Sequence, residues 1–215
     1  MDQTVWFARH GSRQDEDPAW LKTATRPHDP GLSAEGHRQA RCVAERLVRE
    51  GLRHIFTSPF LRAVETAHFI AQATDLPVKV EPGLCEWLNA EFFHTNPETL
   101  PVVELARRYP EIDLKYVAVM TPQYPEDIRQ IHARTGHTAR KLAATYREPI
   151  LMIGHGASIG GALLGLFPEA GIIYRGSATC GLHQLVLQGG TWKLSLHNET
   201  AHLAINKTQK QGTQK

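Results

Sequence analysis

Short, continuous apolar runs alternate along the chain with longer stretches in which apolar residues recur every three or four positions. Val5-Trp6-Phe7-Ala8 is the first such run and Ile150-Leu151-Met152-Ile153 the strongest. Unbroken apolar runs of this length suit strands that are covered on both faces. His54-Ile55-Phe56-Thr57 and Val78-Lys79-Val80 read as two shorter strands. Helical spacing links Ala40, Val43, Ala44, Leu47 and Val48, with Ser33 as N-cap, Glu35 in the first turn and Gly51 as the stop. Ser58-Pro59 predicts the opening of a second helix, with Pro59 at its first position and Leu61, Val64, Ala67, Ile70 and Ala71 on its apolar face. A third helix is expected from about residue 126 to 146, and a small-residue helix packed close to the sheet from Gly156 to Phe167. Gly181 to Leu187 and Trp192 to Leu196 predict a terminal hairpin around Gly189-Gly190. Residues 12–32 and 87–125 are rich in proline and weak in periodicity. They predict a long loop over the strand ends and an insertion, part helix and part loop.

Strands alternating with helices predict an α/β fold, a three-layer αβα sandwich around a mostly parallel central sheet. At 215 residues, one domain spanning 1–205 is expected, with a polar, disordered tail at 206–215. The net charge of +2 is too small to argue for nucleic acid or an anionic membrane as partner, and no apolar stretch approaches membrane-spanning length. No signal peptide is visible, and Cys42, Cys85 and Cys180 lack metal or redox spacing, so a reduced cytoplasmic protein is expected. The sequon at Asn206 carries no meaning without secretion. Twelve histidines offer no H-E-x-x-H and no cysteine-histidine cluster, so neither a metal nor another cofactor is expected.

The chemistry collects at predicted strand ends. Arg9-His10-Gly11 follows the first run, Gly154-His155-Gly156 follows the strongest one, and Thr57 to Arg62 follows the second strand. An α/β protein builds its ligand site at such ends. Arginine forks match phosphate oxygens, and a neutral imidazole can attack phosphorus. Arg9 beside a sheet is costly unless it meets an anion, Gly11 would let the backbone approach a ligand, and Arg13 could reach the same space. Arg62 falls in the first turn of its helix, where the dipole disfavours a cation unless a phosphate sits there. Glu86 lies among Leu84, Cys85, Trp87 and Leu88, apolar neighbours that would raise its pKa and suit a general acid. Each of these residues alone also has an ordinary reading: a core histidine, a solvated arginine, a surface glutamate. A rival is the serine-hydrolase elbow G-x-S-x-G at Gly156 to Gly160, with Ser158 as nucleophile and Glu169 with His183, His197 or His202 as partners. Few residues remain after Ser158 to build that fold, and it leaves Arg9, Arg13 and Arg62 unexplained. A phosphoryl-transfer enzyme with a histidine nucleophile accounts for more of the residues.

Together these segments resemble the histidine phosphatase superfamily, also called phosphoglycerate mutase-like. The matches run in order through Arg9-His10-Gly11, Leu32 to Gly36 with Gln39-Ala40, Thr57-Ser58-Pro59 with Arg62 and Thr66-Ala67, Glu86, and Gly154-His155-Gly156. Val80 to Trp87 and the extra Arg13 are most similar to the branch holding the suppressor-of-T-cell-receptor-signalling phosphatases and the ecdysteroid-phosphate phosphatase. The resemblance implies a metal-independent phosphomonoesterase acting through phosphohistidine. It implies His10 as nucleophile, Arg9, Arg62, His155 and Arg13 as phosphate holders, and Glu86 as proton donor to the leaving oxygen. Ser12 stands where that branch commonly has an acid, and Asp15-Glu16-Asp17 departs from the mutase motif. The Glu-Arg-His-Tyr-Gly element of the mutases is absent, which favours phosphatase over phosphoglycerate-type mutase. A serine hydrolase and a catalytically weak phospho-ligand binding module stay as alternatives. The expected partner is a phosphorylated small molecule or a phosphoprotein. Trp20, Trp87, Phe92, Phe93, Tyr109, Tyr116 and Tyr124 could line an apolar pocket or form the insertion's own core. The sequence leaves the oligomeric state open, a homodimer included.

Overall fold

The computed structural model describes residues 2–174 and 176–204. The expected tail at 206–215 and the sequon at Asn206 lie outside the described residues. Six strands form one sheet: β1 (Gln3–Arg9), β2 (His54–Thr57), β3 (Val78–Val80), β4 (Ile150–Gly154), β5 (Leu182–Gln188) and β6 (Thr191–Glu199), in the order β3-β2-β4-β1-β5-β6. The first four in that order run parallel, β5 pairs antiparallel with β1 and β6 antiparallel with β5, so the sheet is mostly parallel as expected. The helices are α1 (Pro18–Leu21), α2 (Ala34–Leu47), α3 (Leu61–Thr74), α4 (Val102–Arg108), α5 (Ile128–Thr145), α6 (Gly156–Leu166) and α7 (Ala170–Ile173).

Strand periodicity explains the three layers. Trp6 and Ala8 of β1 join Val43 and Leu47 of α2 and Val64, Ala67 and Ile70 of α3 in one apolar cluster. Val5 and Phe7 point the other way and join Leu142 of α5 and Ile159, Ala162 and Leu163 of α6 in a second. Adjacent residues of one strand thus feed opposite cores, which is why Val5 to Ala8 of β1 and Ile150 to Ile153 of β4 are unbroken apolar runs. The αβα sandwich follows.

Local signals set several boundaries. Ser33 caps α2 by accepting the Gly36 N–H at 3.1 Å. Gly189 and Gly190 both adopt positive φ, +57° and +85°, which closes the two-residue hairpin between β5 and β6. Two expectations need correction. Helix α3 begins at Leu61 with Phe60 as N-cap, not at Pro59. The small residues of α6 serve its approach to a neighbouring helix as well as to the sheet: a β-carbon on Gly165 would stand 2.4 Å from Gly136 Cα of α5. Within 87–125, the only helix among the described residues is α4. No helix among the described residues is long and apolar enough to cross a membrane. Cys42, Cys85 and Cys180 are buried and form no disulfide.

Candidate active site

Strand register brings the site together. Arg9 of β1 pairs with Gly154 of β4, so His10 and His155 leave the sheet side by side, and the His10 N–H donates to the Gly154 carbonyl at 3.1 Å. Their ring centroids lie 5.0 Å apart. Thr57 of β2 pairs with Ile153, which places Ser58 beside the same strand end, its N–H donating to the Ile153 carbonyl at 2.9 Å. Glu86 arrives from the segment after β3. All four segments meet at the carboxyl edge of the parallel strands.

His10 is 1% exposed. Its Nδ1 lies 2.7 Å from the Gly11 carbonyl, which can only accept, so Nδ1 carries the proton and Nε2 keeps its lone pair. Burial, and then the nearby Arg62, Arg9 and Arg13, hold the imidazole well below its ordinary pKa, against the opposing Gly11 bond. A neutral imidazole with a free Nε2 is the form that can act as a nucleophile. His155 is fully buried, and burial followed by Arg62, His10 and Arg9 also pushes its pKa well down. Its Nε2 lies 2.8 Å from Ser58 Oγ and its Nδ1 3.3 Å from Glu86 Oε2.

The arginines differ in how far they are already engaged. Arg62 is 1% exposed; one nitrogen, Nη2, donates to Glu86 Oε2 at 3.3 Å, while Nε and Nη1 are buried with no partner. Its guanidinium carbon stands 4.6 Å from the centre of the Phe60 ring, a cation–π contact. Arg9 donates Nη1 to the Ser177 carbonyl at 2.7 Å and leaves Nε buried and unpartnered. Buried donors without acceptors are costly, and an anion with several oxygens would satisfy them. Arg13 faces the same cleft, paired with Asp15 at 3.0 Å.

That cleft has a volume of about 400 Å³. Arg9, Arg13, Asp15, His28, Arg62 and Glu86 form its polar part, and Trp87, Phe92 and Phe93 an aromatic wall. His10 and His155 lie behind this lining. A ring nitrogen of each and a Glu86 oxygen fall within 4.8 Å of one another, a spacing that could hold a cation. The three arginines of the same cleft favour an anion there instead.

Every sequence-predicted site residue is therefore brought to one place, with corrections to the reasons. Glu86 does not face its apolar sequence neighbours: its carboxylate turns to Arg62, His155 and the Trp87 N–H, the last at 3.0 Å. Gly11 also closely approaches helix α2: a β-carbon there would stand 2.8 Å from the Gly36 carbonyl oxygen. Ser158 is no elbow nucleophile. It is 1% exposed, and its hydroxyl accepts the His155 N–H at 2.8 Å and donates to the His155 carbonyl at 3.2 Å. Of its candidate partners, His183 is engaged with Ser177, and His202 with Glu199 and Cys180. Of the aromatic candidates, Trp87, Phe92 and Phe93 line the cleft. Tyr109 bonds Glu65, Tyr116 bonds Glu81, Tyr124 bonds the Phe93 carbonyl, and Trp20 is not among the lining residues. Sequence reasoning missed the roles of Ser58, Ser177 and Asp15. Their only signal was position, next to a strand end or on the loop above it.

The histidine phosphatase superfamily (branch 1) profile matches residues 5–200, and the chain belongs to this family. Ubiquitin-associated and SH3 domain-containing protein A of Homo sapiens is 27% identical over 214 residues, which cover 78% of this chain and 32% of that protein. The chain thus spans about a third of the length of that relative. Probable phosphoglycerate mutase GpmB of Yersinia enterocolitica is 32% identical over 215 residues, covering 94% of this chain and 91% of that one. Among solved structures, the ecdysone phosphate phosphatase from Bombix mori, in complex with tungstate, has a TM-score of 0.76 at 21% identity, over 92% of this chain and 93% of that one. A mycobacterial glucosyl-3-phosphoglycerate phosphatase has a TM-score of 0.65 at 21% identity, over 93% and 100%. These two likenesses establish a shared fold, and the first falls in the branch that Val80 to Trp87 and Arg13 resemble.

Proposed function

We propose that residues 1–205 form one catalytic domain that hydrolyses phosphomonoesters through a phosphohistidine on His10. The observation that carries this reading is the pairing of a neutral His10, whose Nε2 keeps its lone pair, with buried Arg62 and half-buried Arg9, both of which hold buried, unpartnered donors. The phosphoryl group binds against Arg9, Arg62 and His155, with Arg13 released from Asp15 as a further contact. His10 Nε2 attacks phosphorus, the P–O ester bond breaks, and Glu86 gives its proton to the departing oxygen. Water then attacks the phosphohistidine, Glu86 takes the proton back, and the P–N bond breaks to release phosphate. The arginines neutralise charge in the transition state, the role a metal plays in other phosphoryl-transfer enzymes.

The substrate proposed is a phosphorylated small molecule with an apolar alcohol portion, because the cleft beyond the arginines presents Trp87, Phe92, Phe93, Pro27 and Pro30. Three buried cysteines, none in a disulfide, support a reducing, cytoplasmic setting. The test is phosphate release from a panel of phosphomonoesters by the wild type and His10→Ala. Turnover by the wild type, its loss in His10→Ala and inhibition by vanadate are expected. Turnover retained by His10→Ala would reject the reading.

A further inference from the structure

We infer that Arg134 and Glu126 set the position of the Glu86 carboxylate and so control proton delivery to the leaving oxygen. The inference rests on the proposed role of Glu86. Glu86 belongs to no helix or strand, so the sheet does not hold it. Its backbone is held instead by a guanidinium from α5. Arg134 donates Nη1 to the Gly83 carbonyl at 2.9 Å and the Cys85 carbonyl at 3.4 Å, and Nη2 to the Glu86 carbonyl at 3.2 Å. The same fork is gripped by Glu126, Nε to Oε1 at 2.6 Å and Nη2 to Oε2 at 2.7 Å.

Glu126 then secures the far side of Glu86. Its Oε2 accepts the Leu88 N–H at 3.4 Å, its N–H donates to the Leu88 carbonyl at 2.9 Å, and its carbonyl accepts the Trp87 indole N–H at 2.9 Å. Segment 83–88 is therefore clamped on both sides of the one carboxylate that faces Arg62 and His155. Arg134 is 5% exposed and Glu126 7%, and neither lines the cleft. They are positioning residues, not catalytic ones.

A buried ion pair is an expensive way to fill a core, since desolvation offsets much of its attraction. Here only a planar fork can reach carbonyls and a carboxylate at once, which a lysine cannot do. General acid catalysis needs the donor at about 2.6–3.2 Å from the accepting oxygen, and a displacement of about 1 Å can cost about 10²-fold. In the step concerned, the Glu86 O–H bond breaks toward the ester oxygen as the P–O bond breaks and the N–P bond forms.

The test compares kcat/KM for glycerol 2-phosphate and for p-nitrophenyl phosphate, whose leaving group needs little protonation. The ratio of the two rates within one preparation is independent of the folded fraction, so a destabilised variant still gives an answer. Arg134→Lys, Arg134→Gln and Glu126→Gln should each lower the alkyl-to-aryl ratio by about 10-fold to 10²-fold. Adding Arg134→Gln to Glu86→Gln should change the ratio no further. An unchanged ratio in the Arg134 variants, while Glu86→Gln lowers it, would overturn the inference and leave the general acid standing. An unchanged ratio in Glu86→Gln would overturn the general acid, and the inference with it.

Discussion

Ser58 Oγ lies 2.8 Å from His155 Nε2, a contact that ties the exit of β2 to the exit of β4. The same hydroxyl oxygen accepts the Phe60 N–H at 3.3 Å. With the hydroxyl proton directed at Nε2, Ser58 Oγ and His155 Nε2 satisfy each other, while His155 Nδ1 lies 3.3 Å from Glu86 Oε2 without a hydrogen bond. Ser58→Ala should free the ring and lower kcat/KM by about 10-fold, the worth of roughly 1.4 kcal/mol for one buried hydrogen bond. The loss should be equal on alkyl and aryl phosphates, because the ring holds phosphate and not the leaving group. No loss would mean that packing against Phe60 and His10 holds His155 unaided.

Arg62 and Arg13 are both cleft cations, but only Arg62 is buried with unpartnered donors. Arg62→Lys should cut kcat/KM by about 10²-fold or more, as truncating a buried charged contact costs about 2–5 kcal/mol. Arg13→Lys should cost less than about 10-fold, since a half-exposed ion pair is worth roughly 0–1 kcal/mol. Steady-state kinetics on one substrate decide the order. Equal losses would contradict the assignment of Arg62 as the principal phosphate fork.

Gly36 and Gly156 should respond oppositely to alanine. A β-carbon on Gly36 would stand 2.1 Å from the Ser12 carbonyl oxygen, a backbone atom with nowhere to go, while one on Gly156 meets nothing within 4 Å. Gly36→Ala should lose about 1–3 kcal/mol, the usual cost of overpacking. Thermal unfolding should show a clear fall in Tm for Gly36→Ala and none for Gly156→Ala. The same Tm for both would refute the close approach of α2 to the His10 loop.

These residues also mark what sequence could and could not convey. Strands β1 and β4 were legible because both faces are buried, so their apolar runs are unbroken. Ser33 was legible because its cap is local. The start of α3 was not. Its first N–H, from Leu61, is taken by Asp29 Oδ1 at 2.7 Å, thirty-two positions away, and Ser58 is drawn to His155 instead. Arg9, His10, Arg62 and His155 could be found because strand ends, helix turns and residue types are local signals. The surroundings of Glu86 could not, because they come from Arg62 and from α5. Arg134 carried one faint signal: it falls on the buried face of its helix, in step with Ile131, Thr135 and Thr138. A charged residue at such a position asks for a partner, and only the tertiary fold supplies Glu126.

Stability should fall in mild acid. His183, His10 and His155 are buried with lowered pKa values, His183 to about 4, chiefly through burial. In the unfolded chain each has a pKa of about 6.5. Below that value the unfolded state binds more protons, so stability rises with pH in this range. The contribution is full above about pH 6.5 and is lost as pH falls toward 4. Urea unfolding at pH 7.5, 6.0 and 5.0 should show midpoints falling in that order, and less steeply in His183→Asn. A flat profile would mean these rings are hydrated in solution.

Trapping the covalent intermediate tests the central claim most directly. A substrate turned over by the enzyme, mixed rapidly and denatured in alkali, should leave one phosphoryl group that is stable to base and lost in acid. Peptide mass spectrometry should place it on His10, and Glu86→Gln should raise its amount with an aryl phosphate, because the second step then lacks its base. Phosphate on His155, Ser58 or Ser158, or no phosphoenzyme during measurable turnover, would contradict the account.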